Sequence, residues 1–84
     1  MMTVYIRYFA SVREAMSCAS ETLQTPAITL AELRDALIAR GGAGANALAR
    51  TQSVRMAINR VMAAESALLT PDCEVAFFPP VTGG

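Results

Sequence analysis

The chain has 84 residues, enough for one domain with a single hydrophobic core and too few for two. Its seven arginines balance seven acidic residues, and it has no lysine and no histidine, so no net positive field favours nucleic acid as a partner. Hydrophobic residues make up 54% of the sequence, a high share for a small domain, which indicates either that another protein covers part of the apolar surface or that the many alanines alone raise this share.

The cysteine content and the N terminus argue against a disulfide-rich, zinc-binding, secreted or membrane-spanning protein. Cys18 and Cys73 are too few for a disulfide framework, and without histidine they cannot complete a four-ligand zinc site, so we expect reduced thiols and no metal. The N terminus lacks the basic and apolar pattern of a signal peptide, and no segment approaches the ~20 apolar residues of a membrane span. We therefore expect a cytoplasmic protein with no membrane partner.

Residues 3–9 predict the first strand, because β-branched and aromatic residues alternate there between two faces. One face takes Val4, Ile6 and Tyr8, and the other takes Tyr5, Arg7 and Phe9. A short helical connection over 11–16 should follow, and then a second strand over 20–25 that Pro26 ends.

A capping box formed by Thr29 and Glu32 predicts the start of the main helix. Its apolar stripe repeats at spacings of three and four residues: Leu30, Leu33 and Leu37. Three charged residues are expected off that stripe: Glu32, Arg34 and Asp35. Gly41 should stop the helix in a left-handed conformation, and the stripe should pack on a sheet.

The middle of the chain predicts a loop and two short strands. Residues 41–53 are small and contain glycine, so we interpret them as a variable loop with room for a short helical turn. Alternation over 54–59 predicts a third strand, and 61–63 a short fourth. Leu68 and Leu69 are expected to pack into the core before the next turn.

Residues 73–78 predict the last strand, which Pro79 ends. One face takes Cys73, Val75 and Phe77, and the other takes Glu74, Ala76 and Phe78. The order of elements predicts an α+β domain over 1–78 with a mixed sheet, one main helix packed on one face and the other face open. This is the β-grasp arrangement of ubiquitin-like domains, in which the first and last strands are neighbours.

The last six residues have the properties of a reactive tail: Pro79, Pro80, Val81, Thr82, Gly83 and Gly84. Two prolines favour an extended chain, so the tail could project ~20 Å from the domain. Glycine has no Cβ, which lets the backbone enter a narrow channel and lets a terminal carboxylate reach another reactive centre. Coupling of that carboxylate to AMP would allow a sulfur nucleophile to convert it into a thiocarboxylate.

The C-terminal segment PDCEVAFFPPVTGG resembles that of the small subunits of molybdopterin synthases, a family of ubiquitin-like sulfur carriers. FASVRE near the first strand, the helix start at 29–37 and AIN at 57–59 extend the resemblance along most of the chain. The resemblance implies that Gly84 is the catalytic residue, adenylated by a ubiquitin-activating-type adenylyltransferase and thiolated through a sulfur donor system.

The resemblance also implies how the sulfur is used. Residues 79–83 would insert into the active site of a large subunit, where sulfur passes to cyclic pyranopterin monophosphate in molybdenum cofactor biosynthesis. Two small subunits would bind a large-subunit dimer, giving a heterotetramer. The chain has no Gly-rich phosphate loop and no lysine, so we expect it to bind no cofactor itself, and ATP to be used by the activating enzyme.

Four residues of the outward faces are candidate contacts for the large subunit: Tyr5, Phe9, Ala76 and Phe78. Four arginines are interpreted as solvated charges, with pairing to partner carboxylates as the alternative: Arg7, Arg13, Arg55 and Arg60. Three other functions stay open at this point. They are a sulfur carrier for thiazole synthesis, a ubiquitin-like modifier joined to target lysines, and an interaction domain with an inert tail.

Overall fold

The computed structural model describes residues 1–80 and consists of a five-stranded sheet and three helices within that range. In chain order the elements are β1 (Met2–Tyr8), α1 (Ala10–Met16), β2 (Ser20–Thr25), α2 (Leu30–Ala39), α3 (Gly42–Leu48), β3 (Arg55–Ile58), β4 (Val61–Met62) and β5 (Glu74–Phe78). The predicted elements are therefore present, with ends that differ by a residue at β1, β3, β4 and β5.

The sheet is mixed, with the strand order β2-β1-β5-β3-β4. β1 and β5 run parallel at its centre, with Ile6 opposite Val75, and the other three pairs are antiparallel. The prediction that the first and last strands are neighbours is confirmed. This arrangement places the exit of the tail at the middle of the sheet rather than at an edge.

The core lies between one face of the sheet and the helices. Its strand residues are those of the predicted inward faces, and all are buried: Val4, Ile6, Tyr8, Cys73, Val75 and Phe77. On the helical side, the core consists of the three leucines of the α2 stripe, Val12 of α1 and Leu48 of α3. The opposite face of the sheet carries no helix within residues 1–80, as predicted.

The capping box at the start of α2 is confirmed. The Thr29 Oγ1 atom accepts a hydrogen bond from the Glu32 backbone N–H at 3.2 Å, and the Glu32 carboxylate accepts from the Thr29 N–H at 3.1 Å. Both bonds satisfy amide groups that the first helical turn leaves free. The helix ends before Gly41, whose φ of 77° is positive as expected from its lack of a Cβ, but whose ψ of −173° is not that of the predicted left-handed cap.

Two predictions for the middle of the chain were wrong in part. The segment 41–53 is not mainly a loop, because Gly42–Leu48 forms α3 and buries Leu48 in the core. Leu69 is buried as predicted, but Leu68 is 66% exposed. Neighbouring residues of an extended segment point to opposite sides, and Leu68 pairs with Thr29 in an isolated bridge, so only one of the two leucines can face the core.

Arg34 was predicted to lie off the leucine stripe of α2, and the sequence pattern did not show that its side chain is buried. Its side chain is 6% exposed, and it donates hydrogen bonds to the backbone carbonyl groups of Leu48, Ala49 and Gln52 at 2.7–3.2 Å. A carboxylate oxygen of Glu65 lies 3.3 Å away. Because a helix leaves its last carbonyl groups unpaired, the guanidinium group completes the end of α3 and ties it to α2.

A second polar cluster joins two strands to the end of α2. The buried Tyr8 hydroxyl donates to the Glu21 carboxylate at 2.6 Å, and Arg40 donates two hydrogen bonds to the same carboxylate, both at 2.9 Å. Arg40 holds the pKa of Glu21 below its ordinary value. Burial, followed by the hydrogen bond to Glu21, raises the pKa of Tyr8. The tyrosine therefore keeps its proton and remains the donor.

The turn between β3 and β4 consists of Asn59 and Arg60, both with positive φ, at 50° and 69°. Such a two-residue turn matches the twist of the strands that it joins. The Asn59 side chain accepts a hydrogen bond from the Glu74 N–H at 2.9 Å, which fastens this turn to β5.

Within residues 1–80, none of the helices has the length and apolar character needed to span a bilayer.

Candidate functional site

The open face of the sheet is built by the outward residues of five strands. On β1 and β5 these are the residues that alternation predicted: Tyr5, Arg7, Glu74, Ala76 and Phe78. The antiparallel register of β3 against β5 adds Arg55 opposite Phe78 and Ala57 opposite Ala76. Met62 of β4 lies opposite Ala57. This surface directly adjoins the point where the chain leaves β5.

An aromatic pair lies at the end of the open face nearest the tail. The ring of Phe9 meets that of Phe78 edge to face, with centroids 6.4 Å apart. Phe9 is 42% exposed, and its backbone N–H donates to the carbonyl oxygen of Phe77 at 3.1 Å. The guanidinium carbon of Arg7 lies 5.7 Å from the centre of the Phe9 ring, within cation–π range. The pair is thus held in place while much of its surface stays accessible.

The apolar patch is a strip made of Phe9, Phe78, Ala76, Ala57 and Met62. Its two alanines are opposite each other at the centre, where Ala57 is only 6% exposed, so the surface is low there and bounded by larger side chains on either side. Met62 is 56% exposed. A shallow apolar surface with aromatic residues at one end is the usual character of the core of a protein–protein interface.

The structure brings together the four predicted contact residues on one face, with Tyr5 beside Glu74 on the more polar side of the patch. Their binding role stays a prediction. Our sequence reasoning missed Ala57 and Met62. Alternation over 54–59 places Ala57 and Arg55 on the same face of β3. That this face lies beside Ala76 and Phe78 depends on the register of β3 with β5, which the local pattern does not contain.

The first two residues of the predicted tail lie against the domain. Pro79 and Pro80 are partly buried and line a groove of about 590 Å³ that is formed mainly by α1, α3 and the segment 51–54. The base of the tail is therefore part of the domain surface. The remaining predicted tail residues lie outside the described part of the chain: Val81, Thr82, Gly83 and Gly84.

The two cysteines are free thiols in different surroundings. Cys73 is buried in the core, 2% exposed, and Cys18 is partly buried at the end of α1. Cys73 packs with the inward residues of β5, as a small apolar side chain does. Neither thiol belongs to the open face.

Comparison with known proteins places this geometry in a family. Residues 6–84 match the ThiS family. The chain is 38% identical over 80 residues to the molybdopterin synthase sulfur carrier subunit of Haemophilus influenzae, a match that covers 94% of this chain and 96% of the relative.

Solved structures agree on the fold. A protein assigned as molybdopterin converting factor, subunit 1, from Pyrococcus furiosus superimposes with a TM-score of 0.81 at 20% identity, covering 96% of this chain and 100% of that one. The complex of subunits 1 and 2 of molybdopterin-converting factor from Helicobacter pylori contains a chain that matches with a TM-score of 0.69 at 24% identity, over 99% of this chain and 100% of that one. The β-grasp prediction and the predicted sulfur-carrier family are thereby confirmed, and the chain belongs to the ThiS family.

Proposed function

We propose that this protein is the sulfur-carrier subunit of a molybdopterin synthase and that Gly84 carries the sulfur as a thiocarboxylate. The observation that carries the proposal is the nearly full-length likeness to the Haemophilus influenzae sulfur carrier subunit. The family alone does not determine which product receives the sulfur. That relative, together with the FFPPVTGG end of this sequence, favours molybdopterin over thiazole synthesis.

The proposed chemistry has two stages on the carrier. A carboxylate oxygen of Gly84 attacks the α-phosphorus of ATP on the adenylyltransferase, so that pyrophosphate leaves and an acyl adenylate forms. Hydrosulfide from the donor system then attacks the carbonyl carbon, a C–S bond forms, AMP leaves with the former C–O bond electrons, and the bound sulfur loses its proton. The product is a thiocarboxylate, and the energy of ATP is retained in an activated acyl–sulfur group.

The proposed transfer takes place in the large subunit. The thiocarboxylate enters its active site, sulfur passes to cyclic pyranopterin monophosphate, and water restores the carboxylate on Gly84. Two such transfers supply the two sulfur atoms of the dithiolene. This chain contributes the acyl–sulfur donor, while the pterin site and the ATP site belong to its partners.

The architecture suits a carrier that must dock before it reacts. The apolar patch adjoins the end of β5, so a partner seated on it would receive the tail from a defined position. Pro79 and Pro80 restrict the backbone at the start of the tail, which reduces the conformational entropy lost on insertion. Docking and delivery are therefore supplied by adjacent parts of the chain.

The decisive experiment is intact-mass spectrometry of the protein after incubation with the adenylyltransferase, ATP and a sulfur source. We expect a mass increase equal to the exchange of one oxygen for sulfur. The matched controls are a chain without Gly84 and a chain extended by one residue, neither of which should gain sulfur. Addition of the large subunit and cyclic pyranopterin monophosphate should then return the carrier to its original mass and produce molybdopterin.

The same assay separates the alternatives. Transfer of sulfur to a thiazole precursor but not to the pterin would assign the other sulfur pathway. Adducts on lysine residues of other proteins would assign a modifier, although this chain has no lysine and cannot form chains of its own kind. Normal molybdopterin production by the chain without Gly84 would refute the proposal.

A further inference from the structure

The open face carries positive charge although the whole chain is neutral. Three arginines lie on this face or at its edge, Arg7 on β1, Arg55 on β3 and Arg60 in the β3–β4 turn, against one carboxylate, that of Glu74. Three positive charges against one negative charge leave the face at +2 among the described residues. Since seven arginines balance seven acids overall, the remaining side chains sum to −2.

Glu74 neutralises this face only in part. Its carboxylate lies 4.0 Å from a guanidinium nitrogen of Arg7 and 3.7 Å from one of Arg60, and both arginine side chains are at least half exposed. Long, solvated pairs of this kind are weak. Arg55 makes no ion pair with any residue in 1–80 and stands opposite Phe78.

The other outward residues of the strands are uncharged. The outward residues of β2 are Ser20, Thr22 and Gln24, and Met62 lies on the β4 side. The acidic residues with close partners lie on the helical side of the protein, where Glu21 binds Arg40, Asp35 binds Arg50, and Glu65 contacts Arg34 and Arg50. These three acids and three arginines neutralise one another, and the charged side chains that remain outside the open face are Glu14, Glu32 and Asp72 against Arg13. The excess positive charge therefore lies on the side of the apolar patch.

We propose that the large subunit that receives the tail presents carboxylates around an apolar centre, positioned to meet Arg7 and Arg55 at the rim of this patch. The inference rests on the proposed function for the identity of the partner. The apolar patch, buried in the complex, supplies most of the binding free energy, whereas the exposed arginines steer the encounter. The arginines therefore act on the association rate more than on the lifetime of the complex.

The test measures association of the carrier with the purified large subunit of the same organism by stopped flow over a range of ionic strength. The carrier has an unmodified C-terminal carboxylate, so that binding is measured without sulfur chemistry. Arg55→Glu is the main variant, because Arg55 is exposed and its side chain makes no hydrogen bond or ion pair with residues 1–80 that the substitution would break. Arg55→Lys retains the charge and should associate like the wild type.

A matched control places the same charge change on the other side of the protein. Ala36→Glu together with Ala39→Glu adds two negative charges on the exposed surface of α2, just as Arg55→Glu changes the net charge by two. We expect Arg55→Glu to lower the association rate constant about tenfold at low salt, with an effect that shrinks as salt screens the charges. The α2 control should change the rate less than about twofold.

The outcomes separate the inference from the function on which it rests. Equal rates for Arg55→Glu and the α2 control would overturn the inference, whether both are slowed or both unchanged. A complex that forms with the expected charge dependence but yields no molybdopterin from thiocarboxylated carrier would refute the proposed function and leave the steering surface intact. Absence of any complex with the wild-type protein would overturn both.

Discussion

The two sides of the sheet use the same charged residue types in opposite ways. On the helical side, Arg34 and Arg40 make short hydrogen bonds to carbonyl or carboxylate oxygens and connect separate elements. On the open side, Arg7 and Arg60 lie 3.7–4.0 Å from Glu74 and stay largely in water. The first set is structural for two reasons: Arg34 is buried, where a donor without a partner is costly, and Arg40, although 45% exposed, is held by two hydrogen bonds to one carboxylate. The second set is free to act on another molecule.

Substitution of two adjacent phenylalanines should show the largest difference between the two sides of the sheet. Phe77 is fully buried and Phe78 faces the open side, so Phe77→Ala should lower the free energy of unfolding by about 3–5 kcal/mol. Phe78→Ala should lower it by less than about 1.5 kcal/mol, because its ring is only partly buried, and should weaken binding of the large subunit at least about tenfold. Urea unfolding and a binding titration measure the two effects. Similar losses of stability in both variants would contradict the assignment of faces.

Arg34 should be the most sensitive of the arginines. Arg34→Met removes donors from three backbone carbonyl groups and should cost about 2–4 kcal/mol of stability, measured by urea unfolding. Arg55→Met, the matched change on the open side, should stay within about 0.5 kcal/mol of the wild type. A stable Arg34→Met protein would show that water or the rearranged helix end satisfies those carbonyl groups equally well.

The Glu21 cluster should make part of the stability depend on pH. Its hydrogen bonds with Arg40, and then with Tyr8, lower the pKa of Glu21 in the folded state from its ordinary 4.5. Its contribution is therefore present above that ordinary value and is lost as the pH falls through the lower folded value. Glu21→Gln should cost on the order of 1 kcal/mol near neutral pH, since solvent still reaches the carboxylate. Unfolding curves from about pH 6 to about pH 3 should show this difference shrinking, and a constant difference would contradict it.

Glu74 should show the smallest effect on stability. Glu74→Gln removes a carboxylate with two long ion pairs and should change the free energy of unfolding by no more than about 0.5 kcal/mol. The same change makes the open face more positive, so association with the large subunit should become faster at low salt. Thermal unfolding and stopped flow give the two readings. A slower association would mean that Glu74 itself contacts the partner.

Local patterns were sufficient wherever the relevant contacts are close in sequence. Alternation over 3–9 and 73–78 assigned the inward and outward residues of both central strands, and Thr29 with Glu32 located the start of α2. The composition of 41–53 did not predict α3, since Gly42, Gly44 and Asn46 lower the helix propensity that the alanines favour, and the helix depends on packing through Leu48.

The sequence by itself therefore determined the strands, α1 and α2, the apolar faces of β1, β5 and α2, and the family, because periodicity, capping and the C-terminal motif are all local properties. Only the tertiary structure decided that Arg34 is buried, that Leu68 is exposed and that Arg55 shares a face with Phe78. Each of these depends on which distant segments lie side by side and in which register. The excess positive charge on the open face follows from that register, since the same seven arginines and seven acids could have been distributed evenly by another pairing of strands.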